Sequence, residues 1–424
     1  MASRIRRRDA SNVGLSNGLI IASQSVVVAL TPWLFESGSD QSTFLVFWAV
    51  IFGLSGVLTG VSLEVTRTAS RATRGGADLD SMTIPQFGPS LIRLGATLGL
   101  AAAALLAATA PFWGWRFFPT YSLPLAMLVA FGVFANATEN AQAGVLAGVN
   151  RWSLYAQQMT VIGAVRIVAI PLAAILTQSV VVTALVTVLS FLTWLLVPAL
   201  VPSARLTLGV KSDSPLPKTL SRVGASAGAM GLAAVLGVGF PALLSLGSSA
   251  TELEMAAPLL LALTLTRAPL MIPLAAFQAM LVSHLAQWGA GARQALLRLS
   301  GYVIGIGALG SFAAWLAGPL VLAAIWGADF AVAGWVLACL VMGATGLALL
   351  TLTSAYCQAS GQHRAFIAGW AAAVLTATIT IWLPTTLELR AIIALFGGTA
   401  AGLVLQIAAI YRESSPISGA RRAT

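Results

Sequence analysis

Charge is what this chain has least of. Only 8% of its 424 residues are Asp, Glu, Lys or Arg, against about 25% in a typical soluble domain. With 58% hydrophobic residues and a mean hydropathy of +0.90, the composition excludes a water-soluble fold and describes a polytopic membrane protein. Cysteine is nearly absent as well. Cys339 and Cys357 lie on one helix, about 27 Å apart at 1.5 Å per residue, which excludes a disulfide between them. The two histidines, His284 and His363, are far apart and supply no metal-ligand spacing; no metal or cofactor is expected. No loop is long enough to hold a soluble domain, which excludes a built-in ATPase. The longest, about 66–90, has room for a short amphipathic piece.

What the chain does have is a series of apolar segments about 20 residues long, the length a helix needs to cross the hydrocarbon core. Twelve are expected, near 13–35, 43–64, 91–112, 121–146, 155–177, 180–201, 222–246, 257–283, 299–322, 330–357, 365–383 and 391–411. The gap near 178 is so short that spans five and six must form a tight hairpin. Arg4, Arg6, Arg7 and Arg8 before the first apolar run resemble the start of a secretory signal. The run is too long and lacks a small-residue cleavage site, so it reads as a retained first span.

The net charge of +10 could suggest nucleic acid, but its placement argues for topology. Under this span assignment 19 of the 23 Lys and Arg fall on one side, Arg116 and Arg390 fall on the other, and Arg166 and Arg267 lie within spans. By the positive-inside rule both termini are cytoplasmic, and no nucleic-acid partner is expected.

The two halves of the chain resemble each other weakly but in order. Val13-Gly-Leu-Ser-Asn-Gly18 matches Val223-Gly-Ala-Ser-Ala-Gly228, and Leu91-Ile-Arg-Leu-Gly95 matches Leu296-Leu-Arg-Leu-Ser300. Trp113-Gly114 matches Trp326-Gly327, and Arg151 matches Arg364. The expected fold is therefore all-α, with about twelve transmembrane helices in two parallel six-helix lobes, 1–209 and 210–424, as in duplicated transporters. A basic link at 203–221 joins them. The Gly14/Gly18 and Gly224/Gly228 pairs are expected to permit close helix approach.

Few residues carry candidate chemistry. Arg267 lies inside span eight, where a guanidinium costs about 2.5–3.5 kcal/mol on insertion scales and no acid shares its span. Pro269 and Pro273 are expected to break the helix beside it. A planar guanidinium at a broken helix suits phosphate or pyrophosphate; a structural partner elsewhere is the plainer reading. Glu139 and Arg166 fall at similar depth on adjacent antiparallel spans, either as an ion pair fixing two helices or as a proton- or Na+-coupling group. Asn136 and Asn140 share the face of Glu139. Asn17, Gln24 and Thr31 recur every seven residues along span one, as interhelical hydrogen-bonders or as a cavity wall. Glu64 and Arg67, three apart at the basic end of span two, read as a surface pair or a cytoplasmic gate. Gly305-x-Gly307-x-x-Gly310 has a dinucleotide-binding spacing but sits within a span, where helix packing explains it.

Several of these segments together resemble a known family. They are Gly144-Val-Leu-Ala-Gly148-Val-Asn-Arg151-Trp152 with Tyr155, Gln358-Ala-Ser-Gly361-Gln-His-Arg364, Glu64-Val-Thr-Arg67 and Thr266-Arg267-Ala-Pro269. In them the chain resembles the polysaccharide translocases, the lipid-linked oligosaccharide flippases of the multidrug/oligosaccharidyl-lipid/polysaccharide exporter superfamily. The resemblance implies a multi-pass protein of a bacterial inner membrane that flips a polyprenyl-pyrophosphate-linked sugar outward by alternating access. In that reading Arg267 lines the cavity with Asn17, Gln24 and Thr31. An ion-coupled drug exporter of the same superfamily shares the fold and is the main alternative. A major facilitator transporter fits the loop pattern less well. A polyprenyl-sugar glycosyltransferase would need an acidic external loop that this chain lacks, so no enzyme is expected. Twenty-one Arg against two Lys suggests a GC-rich source.

Overall fold

A computed structural model describes residues 7–72, 88–212, 215–287, 292–360 and 362–413. The described chain is almost wholly helical, because in lipid a helix satisfies every backbone polar group within one segment. The helices are α1 (Arg7–Leu34), α2 (Gly38–Ala72), α3 (Leu91–Phe117), α4 (Ser122–Gly148), α5 (Trp152–Thr177), α6 (Val180–Ser190), α7 (Leu196–Leu200) and α8 (Pro202–Arg205). They continue as α9 (Leu216–Gly237), α10 (Phe240–Leu246), α11 (Ala250–Glu254), α12 (Ala257–Gln287), α13 (Ala292–Trp326), α14 (Gly334–Ala359), α15 (His363–Thr380) and α16 (Leu387–Glu413). Among the described residues nine helical segments are long and apolar enough to cross a membrane. Three shorter apolar stretches, Gly18–Leu34, Ala257–Met271 and Arg364–Thr380, fall where the remaining spans are expected. The loop after α2, with its expected amphipathic piece, lies outside the described residues.

By packing, the chain forms two compact units, Met1–Met255 and Ala256–Thr424. This division follows contact density, whereas the 209/210 boundary follows the internal repeat. The helices after the link, α9 to α11, pack with the first six spans.

In the first unit α2 is the central helix, packed on both α4 and α9. Its core half is aromatic: Phe44, Phe47, Trp48 and Phe52 follow one another at ring separations of 4.4–6.5 Å, and Phe52 continues to Phe191 at 5.7 Å. Its other face makes a seam with α9 that only small residues allow. A Cβ at Gly56 would lie 2.3 Å from Ala234 Cβ, and one at Gly60 would lie 2.4 Å from the Ala227 backbone. The close approach expected at Gly18, Gly224 and Gly228 is therefore made elsewhere, while the environment of Gly14 lies outside what is described. Gly18, Gly224 and Gly228 have nothing within 4 Å of a Cβ position, because α9 turns Ala227 and Ala234 toward α2.

The hairpin between spans five and six is as tight as the spacing requires. Gln178 caps α5 in the left-handed conformation (φ 49°), and the Ser179 side chain accepts from Val182 N–H to open α6. Span six then departs from an α-helix, since Phe191–Leu195 is a 3-10 segment between α6 and α7. The link beyond it is anchored: Ser90 and Lys211 form an antiparallel bridge, and Leu91 N–H donates to Val210 O at 3.0 Å.

The helix break falls in a different span from the one expected. α12 runs unbroken from Ala257 to Gln287 through Pro269, and the Thr266 hydroxyl bonds the Ala262 carbonyl one turn back at 2.8 Å. Span seven breaks instead, between Gly237 and Phe240, where Pro241 sits in the first turn of α10. Proline suits a helix start, where its missing N–H has no intrahelical acceptor.

In the second unit α14 packs against α12, α13 and α16, and α15 against α16. Buried Gln406 ties α16 to α14, accepting from the Thr353 hydroxyl and donating to Ser354 Oγ at 2.9 Å. The Gly305–Gly310 motif serves packing: Gly307 lies against Thr345 and Gly310 against Val341. Cys339 and Cys357 are both free thiols on α14.

Candidate functional site

At the basic end of α2, Glu64 is only 4% exposed and holds two arginines. Arg67 grips it bidentately, Nε to Oε2 at 2.9 Å and Nη2 to Oε1 at 2.7 Å. Arg222 reaches the same carboxylate from α9, with 3.8 Å between Nη1 and Oε1. The Glu64/Arg67 pair read from the sequence is thus a three-residue cluster that ties α2 to α9. Arg222 escaped sequence reasoning because it lies 158 positions along the chain.

Deeper along α4, Glu139 is buried and accepts from Asn136 Nδ2 at 3.1 Å, while Asn140 donates to Asn136 in turn. The asparagines form a relay on one helical face, as i, i+3 and i, i+4 spacing allows. Arg166, 3% exposed on α5, interacts with Glu139 electrostatically, but its direct contacts lie elsewhere. Its Nε donates to Ser190 Oγ at 3.2 Å, and its guanidinium lies 5.0 Å and 4.9 Å from the ring centroids of Phe52 and Phe191. Each cation–π contact contributes about 0.5–2 kcal/mol. Arg166 therefore ties α2 and α5 to the point in span six where the helix tightens into its 3-10 turn.

The polar stripe of α1 separates by residue. Thr31 is fully buried and donates to the Val27 carbonyl at 3.2 Å, while Gln24 is half-buried. The side chain of Asn17 lies outside the described ones, as does that of His284. In the second unit Arg267 is 6% exposed, on an α12 whose preceding turns, Leu259–Leu263, are buried. Arg390, placed in a loop by the sequence, is instead buried in the first turn of α16.

Two glutamines, Gln142 on α4 and Gln158 on α5, are also fully buried. Gln142 Nε2 donates to Thr207 Oγ1 at 3.2 Å, which holds the link against α4. Gln158 on α5 is 0% exposed, and neither of its amide atoms has a hydrogen-bond partner among the described groups. The signal was present, since glutamines inside apolar spans are costly unless satisfied. Among the described residues no group of three or more His, Cys, Asp or Glu could hold a metal ion.

No protein-family model matches the chain. It is 30% identical over 409 residues to "Uncharacterized protein Rv1510" of Mycobacterium tuberculosis, covering 96% of this chain and 93% of that one. It is 29% identical over 371 residues to "Uncharacterized protein Mb3654" of Mycobacterium bovis, with 88% and 85% covered. Among solved structures it is similar to the inward-facing conformation of a multidrug resistance MATE family transporter of the MOP superfamily. That match has a TM-score of 0.68 at 16% identity, covering 95% of this chain and 99% of that one. The outward-facing conformation of a transporter so described matches at 0.64 and 14%, covering 94% and 93%. The eukaryotic MATE transporter AtDTX14 matches at 0.62 and 16%, covering 95% and 94%. At these identities the likeness is one of fold. Full-length identity with Rv1510 places the chain in that protein's family, as a multi-span bacterial membrane protein with the MATE-transporter fold.

Proposed function

We propose that the chain is an alternating-access transporter that exports small amphipathic molecules in exchange for an ion. The observation that carries this is the buried Glu139 carboxylate inside α4, which accepts from Asn136 Nδ2 at 3.1 Å. An intramembrane carboxylate is costly to keep and is the usual group by which H+ or Na+ drives a cycle. The fold supports the reading, since it is shared with transporters described in inward- and outward-facing conformations. In this mechanism Glu139 and Arg166 form the coupling pair. Glu64, Arg67 and Arg222 form the cytoplasmic gate, which must part when the cavity opens inward. Half-buried Gln24 of α1 and buried Arg267 of α12 are each assigned to the cargo in this mechanism, whereas Thr31 is fully buried and bonded to the Val27 carbonyl, and the side chain of Asn17 lies outside the described ones.

Flipping of a polyprenyl-pyrophosphate-linked oligosaccharide, the function expected first, is the second reading. Arg267 favours it, because a buried guanidinium on α12 suits a pyrophosphate better than a cationic drug. The fold neighbours described as multidrug transporters favour the exporter.

One experiment separates the two. Cells depleted of the protein are complemented with wild type, Glu139→Gln or Arg267→Ala, and scored for drug sensitivity and for lipid-linked sugars. Raised drug sensitivity that wild type reverses and Glu139→Gln does not, with lipid-linked sugars unchanged, supports the exporter. Accumulation of one lipid-linked oligosaccharide, cleared by wild type and not by Arg267→Ala, overturns it in favour of the flippase.

A further inference from the structure

The link between spans six and seven is pinned to the beginnings of two long helices. Ser90, just before α3, forms the antiparallel bridge with Lys211, and Ser212 N–H donates to Pro89 O at 2.9 Å. Ser212 Oγ lies 2.9 Å from Thr219 Oγ1 in the first turn of α9. Beneath this stretch Val65, Ala69, Leu91, Val210 and Val223 pack into one buried apolar cluster, which fixes the backbone above it. Ser212 and Thr219 are buried, while their neighbours in sequence, Lys211 and Lys218, are exposed. Arg93, also exposed, stands three residues beyond Ser90 in the first turn of α3. The bridge therefore gathers three cations from three separate segments.

Other cations at this end of the unit are spent within the protein. Arg67 and Arg222 are drawn to Glu64, and Arg205 donates to the carbonyls of Pro198 and Ala199. No hydrogen bond or ion pair engages the side chains of Arg93, Lys211 or Lys218 among the described residues. Asp213, the one acid between the two lysines in sequence, lies outside them. Like charges held together by the backbone repel one another, and an anion from outside would offset that repulsion.

Beside the cations the surface is apolar. Both α3 and α9 are long and apolar enough to cross a membrane from these first turns. Along α3 the exposed face that starts at Arg93 continues through Thr97 to Leu100, which is 60% exposed; steps of four and three residues keep the three on one side of a helix. Leu208, Leu216 and Leu220 are exposed around the link. Lys and Arg at the end of such a face reach the headgroup level while their stems lie on hydrocarbon, and basic pockets between spans on the cytoplasmic side suit anionic headgroups. A free phosphate would use the cations and leave the apolar face bare, whereas a lipid uses both.

We propose that Arg93, Lys211 and Lys218 bind the headgroup phosphate of one anionic phospholipid of the cytoplasmic leaflet, with an acyl chain lying along Thr97 and Leu100 of α3. The bound lipid would tie the link to α3 and α9 from outside, as Ser90 and Thr219 tie it from within. The site shares no residue with those assigned to cargo, gate and coupling, and it stands or falls independently of what the transporter exports.

The test uses the purified full chain in phosphatidylcholine nanodiscs with a trace of phosphatidylglycerol carrying a photoactivatable group on its acyl chain. After irradiation, labelled peptides are mapped by mass spectrometry. The expected result is labelling concentrated on the first three turns of α3, competed by unlabelled phosphatidylglycerol and not by added phosphatidylcholine or inorganic phosphate. Arg93→Gln, Lys211→Gln and Lys218→Gln should each lower it about fivefold, the scale of one cation near an anionic surface. Lys211→Arg and Lys218→Arg should retain it. Arg298→Gln and Arg364→Gln remove exposed cations assigned to the same side of the membrane and should leave it unchanged. Labelling that persists when all three cations are replaced by Gln, falls equally in Arg298→Gln, or is equal with a phosphatidylcholine probe overturns the proposal. Competition by inorganic phosphate as strong as that by phosphatidylglycerol overturns the choice of a lipid.

Discussion

Arg222 on α9 stands 3.8 Å from the Glu64 carboxylate on α2, and Arg67 grips the same carboxylate at 2.7 Å. One buried acid thus answers two cations, one from its own helix and one from α9. Loss of either cation leaves Glu64 partly neutralised, whereas loss of Glu64 leaves two arginines facing each other. Glu64→Gln is therefore expected to weaken the α2–α9 contact more than Arg222→Gln does, by about 1–2 kcal/mol against less than about 1. Disulfide trapping between cysteines placed at 61 and 226 reads the contact. In transport assays the charge swap Glu64→Arg with Arg222→Glu should recover more activity than either single change. A swap no better than the single variants removes the gate role.

The seam above that cluster tolerates no side chain. Gly56→Leu and Gly60→Val should each lower the melting temperature in detergent, because the added atoms meet α9 at 2.3–2.4 Å and overpacking costs about 1–3 kcal/mol. Gly228→Ala, whose Cβ meets nothing within 4 Å, is the control and should melt within about a degree of wild type.

Arg166 and Glu139 should separate by readout. Arg166→Ala removes a buried cation from its aromatic seat and from Ser190, and about 3–5 kcal/mol of stability is expected to go with it. Arg166→Lys should recover little, since an ammonium cannot lie flat against two rings while its side chain bonds Ser190. Glu139→Gln keeps the hydrogen bond to Asn136 and the aromatic seat of Arg166, so it should lose less stability than Arg166→Ala while losing ion-driven transport in proteoliposomes. A Glu139→Gln protein that transports normally makes the pair structural.

Gln158 offers a test of the opposite sign. Its amide is fully buried without a hydrogen-bond partner among the described groups, and an unsatisfied buried polar group costs about 1–3 kcal/mol. Gln158→Met, close in volume, should raise the melting temperature. A fall of several degrees would mean that the amide is held by something other than protein.

The sequence carried the architecture well for a clear physical reason. Twenty-residue apolar runs are dictated by bilayer thickness, and the two residues between spans five and six, Gln178 and Ser179, allowed nothing but a hairpin. Residues whose cost is local were also legible: Glu139, Arg166 and Arg267 stand out because a charge in an apolar run demands an explanation. Pairings across distant segments were not. Nothing near Glu64 announces Arg222, and nothing near Arg166 announces Phe52 and Ser190. The helix break was misplaced because Pro269 and Pro273 were weighed as breakers from their own helix alone. α12 stays continuous through its proline, while the break in span seven brings Gly237, Gly239 and Pro241 together. The dominant glycine seam was missed for a similar reason, since helices pack by their small residues in pairs and only one member of each pair lies on α2.

The 3-10 stretch at Phe191–Leu195 gives span six a spare length. A 3-10 turn rises about 2.0 Å per residue against 1.5 Å for an α-helix, and winds about 120° per residue against 100°. Five residues relaxing to α geometry would shorten the span by about 2.5 Å and rotate everything beyond Leu195 by about 100°. That screw motion would pull on the link that starts at Pro202.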